Sequence, residues 1–203
     1  MLLLVPLLVA AVLAPLLGGD LSRLSSVRFR HVWLLLAALA TQVWLIARPG
    51  PQTPFLTALE LGAYPLAFGF LYVNRRIPGA APIALGAASN FLAIAANGGV
   101  MPAARSAVII AGLPLDYHGI YANSEAIANP RLLWLGDVFP IPSAVPLATV
   151  FSVGDILIAF GAAYAILRIT LRGRSRSGEH PPEVREQDAA SSSAETPAVR
   201  AGS

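Results

Sequence analysis

The apolar runs constrain this chain more than anything else in it. A transmembrane helix needs roughly 20 mostly apolar residues, with about 17 as a lower limit. Five segments come close to that length: Met1 to Leu17, His31 to Ala47, Phe55 to Val73, Ala80 to Ala96 and Val150 to Ile169. Hydrophobic residues make up 56% of the sequence and charged residues 12%, the latter about half of what a soluble domain usually carries. A single soluble core does not bury so much apolar surface, whereas a bilayer solvates it. The expected fold class is an all-α membrane protein, a bundle of about five transmembrane helices within residues 1–171. The first run has no basic n-region and no A-x-A cleavage site before Arg23, so we expect a retained span rather than a signal peptide.

The basic residues test that count, because short cytoplasmic loops collect Lys and Arg. Every basic side chain here is an arginine. Arg23, Arg28 and Arg30 follow the first run, Arg75 and Arg76 follow the third, and Arg168, Arg172, Arg174 and Arg176 close the fifth. Arg48, Arg105 and Arg131 fall in the alternate connections. Five spans put the larger sets on one side, with the N-terminus outside and the C-terminus in the cytoplasm. Arginines that merely solubilised loops would not alternate in this way. The net charge of +3 therefore reads as membrane orientation, and no basic patch interleaved with aromatic residues points to nucleic acid. Absence of cysteine excludes disulfides and thiolate metal sites. From Arg172 to Ser203 the chain turns polar, and a disordered cytoplasmic tail is expected there. The basic stretch "RITLRGRSR" at its start would lie against anionic lipid head groups.

The connection from Asn97 to Thr149 is long yet not hydrophilic. Its pieces "SAVIIAGLPL" and "LLWLGDVFPIPSAVPLATV" are apolar but broken by Gly and Pro. Apolar runs of about 10 to 14 residues read as interfacial or re-entrant. Irregular backbone at membrane depth is tolerated only where protein or water covers it. This segment should fold back over the outer mouth of the bundle, with Trp134 and Tyr117 at head-group level.

Counting inward at about 1.5 Å per residue places Gln42, Glu60 and Asp155 roughly 7 to 8 Å below the outer boundary, and Asn90 about 10 Å below it. Asn97 shares a helical face with Asn90. Four helices thus offer polar groups at nearly one level. One reading is interhelical hydrogen-bond glue, each group contributing about 0.6 to 2 kcal/mol, with Asp155 favoured by its own helix dipole. The other is a binding pocket, because ionisable groups inside a bilayer are expensive. Arg105 or Arg131 would then pair with Glu60 or Asp155.

Other motifs carry less. His118 has only Asp116 as a carboxylate neighbour, so no metal site is expected and a hydrogen-bonded turn is the plainer reading. "ANSE" reads as a helix start with Ser124 as N-cap, after Asn123. "NGGVMP" ends the fourth span, with Gly98 or Gly99 in the left-handed cap conformation. It lacks the Lys of a phosphate loop, and "PLLGGD" lacks the strand context of a nucleotide fingerprint.

Three blocks occur in order: "ANGGVMP" at Ala96 to Pro102, "RLLWLGDVFPIP" at Arg131 to Pro142, and "VFSVGDILIAFG" at Val150 to Gly161. With the multi-span N-terminal half, they resemble the bacterial membrane family catalogued as domain of unknown function 5317. The resemblance covers residues 1–171 and implies a small multi-pass protein of the bacterial cell membrane with no established activity. A looser resemblance joins "GDVF" with Asp137 and "FSVGD" with Asp155 to lipoprotein signal peptidases, intramembrane aspartyl proteases with "V-D-F" and "F-N-x-A-D" stretches. It implies catalysis by Asp137 and Asp155 sharing one proton. Ser152 stands where that family has Asn, and this chain has an additional span.

The preferred reading is a non-enzymatic or uncharacterised multi-pass membrane protein. An outer-facing pocket of Gln42, Glu60, Asn90, Asn97, Arg105 and Arg131 would bind membrane lipid, a small solute or lipid-linked ligand, or an unspecified protein. No cofactor is expected. An aspartyl hydrolase using Asp137 and Asp155 is the alternative. A permease coupled through Glu60 is disfavoured, since inverted repeats and a midplane site are missing from the sequence.

Overall fold

The computed structural model describes residues 4–47, 53–113, 115, 124–146 and 148–172. The chain is mostly helical. Helix α1 spans Leu4–Leu16, α2 Val32–Ala47, α3 Pro54–Val73, α4 Ala80–Ala96, the short α5 Arg105–Ile110 and α6 Val153–Leu171. Two 3-10 helices cover Leu21–Ser26 and Leu133–Leu135, and four short strands follow α4: β1 Met101–Pro102, β2 Ser124–Glu125, β3 Asp137–Ile141 and β4 Thr149–Ser152.

The helix ends follow from local chemistry. Thr53 caps α3 by accepting from the Leu56 N–H at 3.4 Å, and Pro54 occupies the first helical position, where its missing donor is harmless. α4 ends at Asn97, with Gly98 and Gly99 both left-handed at φ 70° and 93°. The expected glycine cap is present, with two glycines in place of one.

The long helices pack as a row in which α2 contacts α3, α3 contacts α4, α4 contacts α6, and α6 contacts α1. The closest pair is α4 and α6. They run antiparallel, because Gly79 of the α4 cap lies against Gly161, and Gly86 against Gly154. A Cβ at any of these four glycines would overlap the facing helix. Glycines seven residues apart on each helix thus let two backbones touch. α1 runs parallel to α6, tied at its far end by the Asp20 N–H donating to the Thr170 carbonyl at 3.1 Å.

The packing is inverted relative to a soluble core. Buried apolar residues are mostly alanines, such as Ala10, Ala14, Ala38, Ala93 and Ala159, while Leu8, Val12, Trp33, Leu36, Leu39, Val43, Trp44 and Phe160 are exposed. Two helices, α3 with 20 residues and α6 with 19, are long and apolar enough to cross a membrane; α1, α2 and α4 are apolar but shorter. Arg28, Arg30, Arg75 and Arg76 meet at one end of the row.

The structure corrects three expectations. The chain is not all-α: β1 pairs in parallel with β2, and β3 pairs antiparallel with β4 through Phe139↔Phe151, Pro140↔Val150 and Ile141↔Thr149. "DVFPI" and "TVFS" are rich in β-branched and aromatic residues, and pairing satisfies backbone groups that a Pro-broken segment cannot satisfy in a helix. The last long helix begins at Val153, not Val150, because Thr149 to Ser152 belongs to β4. Ser124 does not start a helix; it lies in β2 opposite Met101, and Pro130, shortly afterwards, disfavours helix in the residue before it.

The described part of the connection between α4 and α6 packs against those two helices. Its 3-10 turn at Leu133–Leu135 contacts α4 and α6, and Met101 clusters with Ala93 and Ile94, with Leu135 and Tyr64 packed against that cluster. Trp134 is exposed on that turn. Tyr117, His118, Asp116, Asn123, Arg48 and the tail after Arg172 lie outside the described residues.

Candidate functional site

The junction of β4 and α6 is built by the sequence Ser152-Val153-Gly154-Asp155. Ser152 is extended, and its Oγ accepts from the Asp155 N–H at 3.0 Å; Asp155 Oδ2 accepts in return from the Ser152 N–H at 3.0 Å. This capping box satisfies two backbone donors at a helix start. It also places a carboxylate at the positive end of the α6 dipole.

Asn90 of α4 closes the arrangement. Its Nδ2 donates to Asp155 Oδ1 at 3.0 Å, and its Oδ1 accepts from Ser152 Oγ at 2.9 Å. Each oxygen of Asp155 therefore accepts a hydrogen bond, and Ser152, 0% exposed, is satisfied as both donor and acceptor. Gly154 makes the closure possible, because a Cβ there would strike the Asn90 amide. The bonds between Asn90, Ser152 and Asp155 thus depend on the glycine contact between α4 and α6.

Asp137 returns to the same place. Its Cα pairs with Ser152 across the β3–β4 ladder, its carbonyl accepts from the Ala104 N–H at 3.0 Å, and it is only 5% exposed. The β3–β4 ladder thus sets Asp137 opposite the buried Ser152, which is itself bonded to Asp155.

The other expected residues separate. Glu60 is buried on α3, 1% exposed, and is engaged in interactions there. Gln42 is half-buried on α2, at the far end of the row from α6, and forms no hydrogen bond with the others among the described residues. Asn97 clasps backbone: its Oδ1 accepts from the Arg131 N–H at 2.8 Å while its Nδ2 donates to the carbonyls of Arg131 and Ala93, both at 2.7 Å. It anchors the outer segment. Arg105, which opens α5, and Arg131 are exposed, and among the described residues no arginine pairs with Asp155. Within the polar layer, Asn90 and Asp155 are joined directly.

Beside this junction lies a groove of about 520 Å³ between the start of α1 and α6. Val5 and Pro6 form one wall, Ile156 and Phe160 the other, with Phe151 and Asp155 at the end near β4. The lining is apolar apart from the Asp155 carboxylate and Thr149. No group of three or more His, Asp or Glu side chains that could hold a metal ion occurs among the described residues.

Two features escaped the reading of the residues. Ser152 was legible as the start of an S-x-x-D capping box, a signal obscured by placing the helix start too early. The glycines at 79, 86, 154 and 161 were legible as small residues at heptad spacing.

Comparison with known proteins gives a family without an activity. The chain is 26% identical over 154 residues to an uncharacterized protein of Thermotoga maritima, covering 74% of this chain and 82% of the relative. No solved structure matches it. A family profile described as a family of unknown function matches residues 26–167, a span that includes α2, α3 and α4, the outer segment and most of α6. The chain belongs to that family of unknown function, DUF5317.

Proposed function

We propose that this is a multi-pass protein of the bacterial cell membrane that holds a lipid or lipid-linked ligand in the groove between α1 and α6. In this reading α1, α2, α3, α4 and α6 are the five spans, the arginine-rich end faces the cytoplasm, and the β3–β4 hairpin covers the outer end. Alanines inside and large apolar side chains outside support a lipid surround, since helix association in lipid favours small residues at the contacts.

The observation that carries the ligand reading is the groove itself, apolar along α6 and ended by one carboxylate. An acyl chain would lie against Ile156 and Phe160, and the polar part of the ligand would meet Asp155. Native mass spectrometry of the detergent-purified chain should show retained lipid, reduced in Ala163→Trp, which fills the groove. Equal retention in the two proteins rejects the groove as the site. Because the chain lacks cysteine, an impermeant thiol reagent on intact cells tests orientation directly. It should label Val100→Cys and not Arg76→Cys.

The second reading is an aspartyl hydrolase. The ladder that sets Asp137 opposite Ser152 favours it. Against it, both Asp155 oxygens already accept hydrogen bonds, from Asn90 and from the Ser152 N–H, which orient the carboxylate as the cap of α6. Asp137→Cys with Asp155→Cys should form a disulfide on oxidation only if their Cα atoms come within about 7 Å. Failure to cross-link removes the dyad.

A further inference from the structure

The opposite end of the bundle contains a second concave site. The connection between α1 and α2 is held to the end of α3 by Asn74, which is 6% exposed. Asn74 Oδ1 accepts from the Arg30 N–H at 2.9 Å, and its Nδ2 donates to the carbonyls of Arg30 and Phe70, each at 2.9 Å. Phe29 adds an aromatic contact with Phe70 at 6.0 Å between ring centroids. His31 then takes a left-handed φ of 51°, which turns the chain into α2.

This fixed backbone brings Arg28 and Arg30 to the same pocket as Arg75 and Arg76, a cavity of about 400 Å³. Arg75 is itself positioned, with Nη1 donating to the Tyr72 carbonyl at 3.1 Å and its guanidinium 4.6 Å from the Tyr72 ring centre. Among the described residues, the one carboxylate at this end is Asp20, and it faces Arg23 at 3.7 Å. Four arginines thus line one cavity whose lining includes no carboxylate residue.

The preference of short cytoplasmic connections for arginine accounts for how many arginines are here. It does not account for their convergence on one cavity between two clasped connections. A cleft lined by one sign of charge concentrates counter-ions, and guanidinium forks match phosphate oxygens. Exposed Phe29, Tyr72 and Trp33 lie on the neighbouring turns, so an apolar surface continues from the charged cavity. A ligand carrying both phosphate and hydrocarbon fits better than phosphate alone.

We propose that Arg28, Arg30, Arg75 and Arg76 form a binding site for the phosphate of an anionic phospholipid in the inner leaflet. The site rests on the membrane reading but is independent of the groove beside Asp155. Basic pockets on the cytoplasmic side of transmembrane helices are suited to such head groups.

The test is native mass spectrometry of the full chain equilibrated with mixed micelles of phosphatidylglycerol and phosphatidylcholine. The wild type should retain phosphatidylglycerol preferentially. Arg28→Gln with Arg30→Gln should lower that preference about tenfold without shifting the melting temperature, because Asn74 holds the peptide group of Arg30 and not its side chain. Arg23→Gln, at the same end but outside the cavity and facing Asp20, should leave the preference unchanged. An undiminished preference in the double variant overturns the site, and an equal loss in Arg23→Gln shows diffuse attraction and overturns it too. Displacement of the lipid by millimolar inorganic phosphate overturns the lipid as source in favour of free phosphate. Failure of the chain to float with vesicles after alkaline washing overturns the membrane reading itself, whereas an embedded chain without preference overturns only this site.

Discussion

The two ends of the bundle use the same fastener for different purposes. At each end an asparagine just past a helix clasps the backbone of a distant residue through both its N–H and its carbonyl: Asn74 after α3 holds Arg30, and Asn97 after α4 holds Arg131. At the arginine end the clasp arranges short connections and leaves charged side chains exposed. At the hairpin end it holds down a long segment above the buried Asp137, Ser152 and Glu60. The contrast follows from solvent access. Guanidinium groups reach water beyond the helices, while polar atoms drawn inside the row depend on other protein atoms, Ser89 Oγ on α4 being buried without such a partner among the described residues.

The comparison can be broken most severely at the helix contact beneath the hairpin end. Gly154→Leu drives a side chain into Asn90 and the Gly86 carbonyl, and should destabilise the protein by about 3 kcal/mol, measured by reversible unfolding in mixed detergent. Wild-type stability in that variant would mean that α4 and α6 are not in backbone contact.

The two clasps come next. Asn74→Ala leaves the Arg30 peptide group unpaired near a buried residue and should cost about 2 kcal/mol. Asn97→Ala should cost less, because water can replace the lost bonds around exposed Arg131. The reverse order would show that the hairpin end is the drier of the two.

Ser152→Ala removes one side of the capping box and the bond to Asn90, with an expected cost of about 1 kcal/mol. Asn90→Ala made together with it should cost less than the sum of the two single effects. Simple additivity would separate the cap from the interhelical bonds.

The smallest effect belongs to the arginine end. Hydrogen bonds from Ser22, and secondarily Arg23, hold the exposed Asp20 carboxyl below its ordinary value of 3.8. A carboxyl whose folded value is depressed contributes stability that is present above its unfolded value and is lost as pH falls through the folded one. Melting temperatures of wild type and Asp20→Asn should therefore differ slightly at pH 6 and converge below pH 4. A difference that grows on acidification would contradict the assignment of Asp20 as the cap of the 3-10 helix.

Much of the helical plan was legible because long apolar runs have few alternatives in solvent of either kind. The boundaries of α2, α3 and α4 lie within a residue or two of the expected spans. The early start assigned to the last span shows the limit of that reading. Val150 and Phe151 are as apolar as the residues after them, and only the partner strand Asp137–Ile141 claims them for a ladder. Ser124 illustrates the same limit, since a serine followed by an acid suits either a cap or a strand until Met101 arrives beside it.

The polar layer separates what each level determines. Depth along a helix is one-dimensional, so Gln42, Glu60, Asn90 and Asp155 could be assigned to one level from position alone. Which of them touch depends on helix order and rotation. The row α2–α3–α4–α6–α1 sets Gln42 far from Asp155, and the glycine contacts bring Asn90 within bonding distance of it. By itself the sequence determined the apolar helices, the arginine alternation and the caps written into neighbouring residues, because these are local properties. The tertiary structure decided that Ser152 is shared between two helices, that Asp137 returns to it, and that four arginines meet in one cavity, because each requires residues tens of positions apart to be brought together by packing.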